Sequence, residues 1–278
     1  MAGDMEFITL ATGFDSTEGP AFDRDGSLFF VNWESSQILK RTPDGTISDY
    51  FNTGGIPAGL AFAPDGSLWV ADEGKDIHGL LRIAPDGAAS IMNNTYNGQP
   101  LNGANDLVFD RQGTIYFSDP WGSNADNMIG GFYRRLPDGT LEQLDSGLGF
   151  PNGVALNRAE DAVFLAETVR RRILRYPIAA DGSVGPGEHW ADTGPTGGPD
   201  GMAFDERGRL FVAVYGAGVV AVFSADGQVD EQIRLPGANP TNVAFGGPDL
   251  FDLVITELET QSVYRCKPGV RGQPLNDR

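Results

Sequence analysis

Cysteine is almost missing from this 278-residue sequence: Cys266 stands alone, which excludes an internal disulfide and any metal cluster built on thiolates. Histidine is nearly as scarce. With only His78 and His189, zinc centres that need two or three imidazoles are all but excluded. Positive charge is also short, at 20 Lys and Arg against 38 Asp and Glu, for a net charge of −18 at pH 7. That balance opposes a phosphate backbone and argues against a nucleic-acid partner. No run approaches the roughly 20 apolar residues of a membrane span, so no membrane partner is expected. The opening MAGDMEF lacks the basic and apolar stretches of a secretory leader, and the expected location is cytoplasmic, in keeping with one free thiol. Any chemistry here has to run largely on oxygen atoms.

What the chain has in abundance is one phrase, repeated. GPAFDRDGSLFFV, GLAFAPDGSLWVA, DLVFDRQGTIYFS, GVALNRAEDAVFL, GMAFDERGRLFVA and NVAFGGPDLFDLV share a core apolar anchor at Phe22, Phe62, Phe109, Leu156, Phe204 and Phe245. The anchors lie 40, 47, 47, 48 and 41 residues apart. A period of ~40–50 residues made of short β-rich runs predicts a β-propeller, here with six blades. Runs such as GSLFFV follow a turn at Asp25-Gly26 or Asp65-Gly66, and second turns fall at Asp44-Gly45, Asp86-Gly87, Asp138-Gly139, Asp181-Gly182 and Asp226-Gly227. Each blade is therefore read as four antiparallel strands, and no stretch carries a helical period. The expectation is an all-β, six-bladed β-propeller forming a single domain over 1–278.

Too few residues follow Phe245 to complete a sixth blade. The apolar segment Phe7–Leu10 is expected to supply its outer strand and close the ring, which also removes exposed sheet edges. The tail Val270–Arg278, with Pro274 and its charges, is the poorer donor.

Repetition provides an internal control, because a structural residue should recur in most blades. Four positions before each anchor the residues are Glu18, Ala58, Asn105, Asn152, Asp200 and Thr241. In a propeller this position begins the innermost strand, so these side chains ring the mouth of the central tunnel. Each alone reads as a turn residue, but Glu18 is a poor one, and turn chemistry does not explain oxygen ligands gathering on one axis. Glu18, Asn105, Asn152 and Asp200 together offer two carboxylates and two amides, a hard-oxygen set suited to calcium (Ca²⁺), with Mg²⁺, Mn²⁺ or Zn²⁺ as alternatives. Without a cation, Glu18 and Asp200 would repel one another and one would titrate late.

A second ring follows from antiparallel geometry, since the second strand of each blade returns to the same face. Ten residues after the anchors stand Asn32, Asp72, Asp119, Ala166, Val214 and Ile255, with Trp33, Glu73, Trp121, Glu167, Tyr215 and Glu257 beside them. Glu73, Asp119, Trp121 and Tyr215, with Asn105, are candidates to contact substrate, in a pocket expected to suit a polyhydroxylated molecule. The loop Ser118–Gly131 is expected to cover the mouth, and Asn93–Ala104 to be a polar loop leading to Asn105. His78 reads as a loop histidine on the same face and His189, in EHW, as structural.

At these residues the chain resembles the senescence-marker-protein/gluconolactonase/luciferin-regenerating-enzyme family of six-bladed propellers. The likeness spans essentially the whole chain and rests on the blade phrases and on EGP, ND, PNG and PDG at the strand starts. It implies that Glu18, Asn152 and Asp200 bind a divalent cation, usually calcium in lactonase-like members. It implies further that Asn105 completes the contacts to metal or substrate and that Asp200 acts as base or nucleophile. Family members that open sugar lactones often carry Arg two residues before the ND asparagine, where this chain has Gly103, which leaves room for other lactones. The expected activity is metal-assisted hydrolysis of a small lactone, a sugar-acid lactone or a relative of one. The rivals are a non-catalytic binding propeller with a structural central ion, a phosphotriester or aryl-ester hydrolase of the same fold, and a metal-free synthase of the strictosidine-synthase type.

Overall fold

The computed structural model describes residues 5–274. Six four-stranded antiparallel sheets make the six blades. Their innermost strands are Thr17–Phe22, Pro57–Phe62, Leu107–Phe109, Pro151–Leu156, Gly198–Phe204 and Pro240–Gly246, and the first five blades run outward from these in chain order. Besides strands and turns, the described residues hold one three-residue helical turn, Trp33–Ser35. None of their helices is long and apolar enough to cross a membrane. The single-domain expectation over 1–278 includes residues 1–4 and 275–278, which lie outside those described.

The ring closes as the residue count requires. Ile8–Thr12 pairs antiparallel with Ser262–Cys266 and becomes the outer strand of the sixth blade. The pairing begins and ends slightly later than Phe7–Leu10; Phe7 instead sets its ring edge-on to Tyr264, at 6.0 Å between centroids. At all seven Asp-Gly pairs the glycine has positive φ. At Asp44, Asp65, Asp86, Asp138 and Asp181 the carboxylate accepts from the backbone N–H two residues on. Those pairs are turn chemistry, as read.

The core is not central. It is divided into six apolar clusters, one between each pair of neighbouring blades, including the closing pair of sixth and first. The anchors carry much of this packing. Phe62, Phe109, Phe204 and Phe245 each meet an aromatic ring from the preceding blade's second strand edge-on, Phe29, Trp69, Phe164 and Phe211 respectively, at 4.9–5.9 Å. Edge-to-face pairs of this kind add about 0.5–1.5 kcal/mol each beyond area burial. This cross-blade role explains why the anchor recurs, and it leaves the tunnel axis free of apolar packing.

Candidate active site on the tunnel axis

Just where the inner strands begin, five of the six break register with their neighbours: between Glu18 and Ala21, Pro57 and Leu60, Pro151 and Val154, Pro199 and Met202, and Pro240 and Asn242. An irregularity of this sort re-aims side chains that regular pleating would alternate between faces. Its result is that Glu18, Ala58, Asn105, Asn152, Asp200 and Thr241 all line one cavity of about 230 Å³. Residues more than 180 positions apart in the chain meet there, as the six-fold comparison expected.

The floor of this cavity comes from the next column of the repeat, which holds Gly19, Gly59, Asp106, Gly153, Gly201 and Asn242. The inner strands approach so closely that a Cβ at Gly153 would overlap the Asp200 carbonyl, and one at Gly201 the Asn242 carboxamide. The two polar exceptions act as braces. Asp106 accepts from the backbone N–H of Val154 at 2.9 Å and from that of Leu107 at 2.9 Å. Asn242 donates through Nδ2 to Glu18 Oε1 at 2.7 Å. The sequence reading missed both, although the signal lay one column away: they are the two departures from glycine.

Hydrogen bonds fix one side-chain atom of Glu18 and one of Asn105 and leave another of each bare. Glu18 Oε1 is held by Asn242, while its Oε2 is buried without a partner. Asn105 donates through Nδ2 to Glu73 Oε1 at 2.9 Å, and its Oδ1 is buried without a partner. Asn152 Oδ1 is likewise unpaired. Buried acceptors without partners are rare and costly, and three of them among the walls of one small cavity call for a positive ligand. Among the described residues no three His, Cys, Asp or Glu side chains form a ready metal cluster. The donors are instead a mixture of amide and carboxylate oxygens, the type that hard divalent cations take.

The electrostatics agree. Burial pushes Glu18 up to about 7, against its hydrogen bond from Asn242. Glu73 is pushed up to about 8 and Asp106 to about 7, in both cases chiefly by burial, with the Glu18 charge adding to each. Asp200 is raised well above the usual carboxylate range by burial and then by the charges of Glu18, Asp106 and Glu73. Four neighbouring acidic groups thus hold their protons more tightly than free carboxyls, each through burial first, with neighbouring charges adding to Glu73, Asp106 and Asp200.

Of the other candidates, Glu73, Trp121 and Tyr215 line the same cavity, together with Trp33, Phe150 and Leu258. Phe150 and Leu258 were not singled out from the sequence, since they lie outside both repeated columns. Asp119 does not line it. Its carboxylate accepts from the backbone N–H groups of Asn102 at 3.0 Å and Gly103 at 2.7 Å, so it shapes the connector that presents Asn105. The ends of the second strands repeat this device. Asn32, Asp72, Glu167 and Glu257 accept from the N–H groups of Ser16, Ile56, Gly149 and Asn239, and all four are buried rather than being solvated edge residues.

The polar loop before Asn105 folds into a small hairpin, Thr95–Tyr96 against Gln99–Pro100. The loop carrying Trp121 is tied down by Ser123 Oγ donating to Leu148 O and Asn102 Nδ2 donating to Ile129 O. His78 places Nδ1 3.1 Å from Asn102 O and lies outside the cavity lining. His189, on an exposed outer strand, pairs with Asp192 at 2.9 Å.

Comparison with known proteins places this geometry. The squid Loligo vulgaris diisopropyl-fluorophosphatase is 30% identical, over 93% of this chain and 91% of its own. A gluconolactonase from Zymomonas mobilis is 29% identical, over 87% of this chain and 77% of its own. The solved structure of a Xanthomonas campestris gluconolactonase superposes with a TM-score of 0.84 at 27% identity, covering 95% of this chain and 90% of that one. The pattern of the SMP-30/Gluconolactonase/LRE-like region matches residues 16–259, and the chain belongs to that family.

Proposed function

We propose that this protein is a divalent-cation-dependent hydrolase that opens a small lactone, with Glu18, Asn105, Asn152 and Asp200 holding the ion and calcium as the ion held. The observation that carries this reading is the set of unpaired buried oxygens, Glu18 Oε2, Asn105 Oδ1 and Asn152 Oδ1, in one cavity with the Asp200 carboxylate. Membership of a family whose relatives include gluconolactonases supports the reaction class. Calcium is favoured over magnesium because two amides and two carboxylates presented from four blades give a loose, oxygen-rich shell, whereas magnesium demands near-octahedral geometry.

A bound divalent cation supplies positive charge beside the lactone carbonyl oxygen, lowering the cost of the negative charge that builds there. The remaining steps belong to the protein. In hydrolysis a water oxygen bonds to the carbonyl carbon, the ring C–O bond breaks, and one proton moves from the water to the departing ring oxygen. Asp200 is the group to carry that proton, accepting it on a carboxylate oxygen and returning it to the alkoxide. Alternatively, an Asp200 carboxylate oxygen attacks the carbonyl carbon, and the ring C–O bond breaks to leave an alkoxide and an anhydride with Asp200. Water then attacks the Asp200 carboxyl carbon, giving its proton to the alkoxide and freeing the acid. Single turnover in H₂¹⁸O separates the two, because only direct attack places label in the Asp200 carboxylate. Asn105 and Asn152 orient ion and substrate without adding charge, and Asn242 holds Glu18 in place.

The test is hydrolysis of a lactone panel, followed with a pH indicator, before and after exhaustive chelation and then with calcium restored. Activity that tracks ion occupancy supports the reading. Full turnover after chelation removes the ion from the mechanism, and inactivity on every lactone with calcium bound favours a binding propeller. The likeness to the squid enzyme favours one second reading, phosphotriester hydrolysis at the same site, tested by fluoride release from diisopropyl fluorophosphate.

A further inference from the structure

The walls around the four candidate ligands say what kind of lactone fits, an inference that rests on the lactone-hydrolase reading above. No Lys, Arg or His lines the cavity among the described residues. Two of its wall polar groups are engaged by the protein itself: Glu73 Oε1 takes the Asn105 amide, and the Thr241 hydroxyl donates to Thr17 O at 2.9 Å and lies 2.7 Å from Thr256 Oγ1. What is left is aromatic and aliphatic, namely Trp33, Trp121, Phe150, Tyr215 and Leu258. Trp121 and Tyr215 are 43% and 38% exposed, a large apolar offering at a site mouth.

Position 103, beside Trp121, admits no side chain. Gly103 has φ +146, and a Cβ there would lie 2.9 Å from both Glu73 Cα and Trp121 Cβ. Trp121 and the Glu73 backbone therefore occupy the volume a side chain at 103 would need. A polyhydroxylated ring entering this cavity gives up water at each hydroxyl and finds few free partners in exchange, at a cost for each unpaired group. An anionic substituent fares worse, because no cationic side chain lines the cavity to receive it. An alkyl or aryl substituent gains, at roughly fourfold in binding for each methylene buried.

We propose that the site takes uncharged lactones bearing an apolar chain or ring in preference to polyhydroxylated or anionic ones, with Trp121, seated against Gly103, setting that preference. This proposal departs from the polyhydroxylated substrate expected from the polar residues of the second ring, several of which, Asn32, Asp72, Asp119, Glu167 and Glu257, accept from backbone N–H groups.

The test uses the full chain at saturating calcium and compares kcat/KM for δ-decalactone, δ-valerolactone and glucono-δ-lactone, each corrected for spontaneous opening. The expected result is a kcat/KM for δ-decalactone at least tenfold above that for glucono-δ-lactone. Trp121→Ala, at an exposed position, should lower the δ-decalactone value about tenfold while changing δ-valerolactone less than threefold, and Trp121→Phe should keep most of the preference. Hydrolysis that favours glucono-δ-lactone, or treats it equally, overturns the proposal and leaves the lactonase reading standing. Equal losses on both alkyl lactones in Trp121→Ala, with an unchanged thermal melt, remove Trp121 from its role. If none of the three is opened with calcium bound, the lactonase reading fails and this proposal with it.

Discussion

Chelating the protein across a pH series tests the crowding of acids on the axis directly. Glu18, Asp106, Glu73 and Asp200 all bind their protons more tightly in the folded chain than in the unfolded one. Below roughly pH 3 these carboxyls are protonated in both states, so they contribute nothing to the pH dependence there. As pH rises from there towards 8, the unfolded chain releases its protons while the folded one holds them or buries charge, so stability falls through this window. Glu18 moves from 4.5 to about 7. At roughly 1.4 kcal/mol per pH unit, that one displacement is worth on the order of 3 kcal/mol. The others act in the same direction but share the same charges, so the total is smaller than their sum.

For a chain of this length 1 kcal/mol moves the melting temperature by roughly 2 °C, so the ion-free protein should lose about 6 °C between pH 5 and pH 8. Calcium at a hundredfold excess over its dissociation constant adds about 2.7 kcal/mol where the acids are ionised. It should therefore restore most of the loss at pH 8 and do little at pH 5, where protons compete for the same oxygens. The exposed turn acids Asp44, Asp138 and Asp181 are held below the usual carboxylate range and titrate outside the window. Differential scanning fluorimetry in EDTA and in calcium reads the effect. A melting temperature flat from pH 5 to 8, or a calcium shift equal at both ends, would refute the reasoning.

Four substitutions probe the parts separately. Asp200→Asn should lower kcat by about 10²–10⁴ with the circular dichroism spectrum unchanged, and a smaller loss would take proton transfer away from this residue. Glu18→Gln keeps an acceptor for Asn242 but removes a charge, so calcium affinity by calorimetry should weaken at least tenfold; an unchanged affinity would remove Glu18 from the ligand set. Glu73→Leu leaves Asn105 Nδ2 without its acceptor and frees the amide to turn, which should cost about 10–100-fold in calcium affinity, with Glu73→Gln recovering most of it. Gly201→Ala forces a Cβ into the Asn242 carboxamide and should lower stability by about 1–3 kcal/mol, read as a drop of several degrees in melting temperature; an unaltered melt would mean the floor is looser than described.

Blade count, strand order and closure were legible in the sequence because each rests on a feature repeated six times. The anchor column recurs since four of its six members set an aromatic ring against the preceding blade, and the Asp-Gly turns recur since their glycines take positive φ. Glu18, Asn105, Asn152 and Asp200 were legible for the opposite reason, as the column where recurrence fails. The second ring was legible in part: Glu73, Trp121 and Tyr215 line the cavity, whereas Asp119 and Asp72 look like site residues and are connectors. Asp119 and Asp72 satisfy backbone N–H groups of the segments leading into the inner strands, a task that no local pattern distinguishes from ligand binding. Phe150 and Leu258 were invisible because they come from connectors of unequal length, where the repeat supplies no register.

The glycine column shows why six blades are needed to make one site. Each inner strand is notched at this level so that the next can lie against it. Gly59 leaves the space that Asp106 fills, and Gly201 leaves the space that Asn242 fills. Each filled notch then reaches to another blade. The Asp106 carboxylate accepts from Val154 N–H of the fourth blade, and Asn242 donates to Glu18 of the first. The last of these bonds spans the same blade junction at which Ile8–Thr12 completes the sixth sheet. Ring closure and the placement of Glu18 are therefore mechanically linked. The proposed ligand set, drawn from the first, third, fourth and fifth blades, depends for a fixed geometry on the second and sixth blades, which supply none of its members and keep the circle shut.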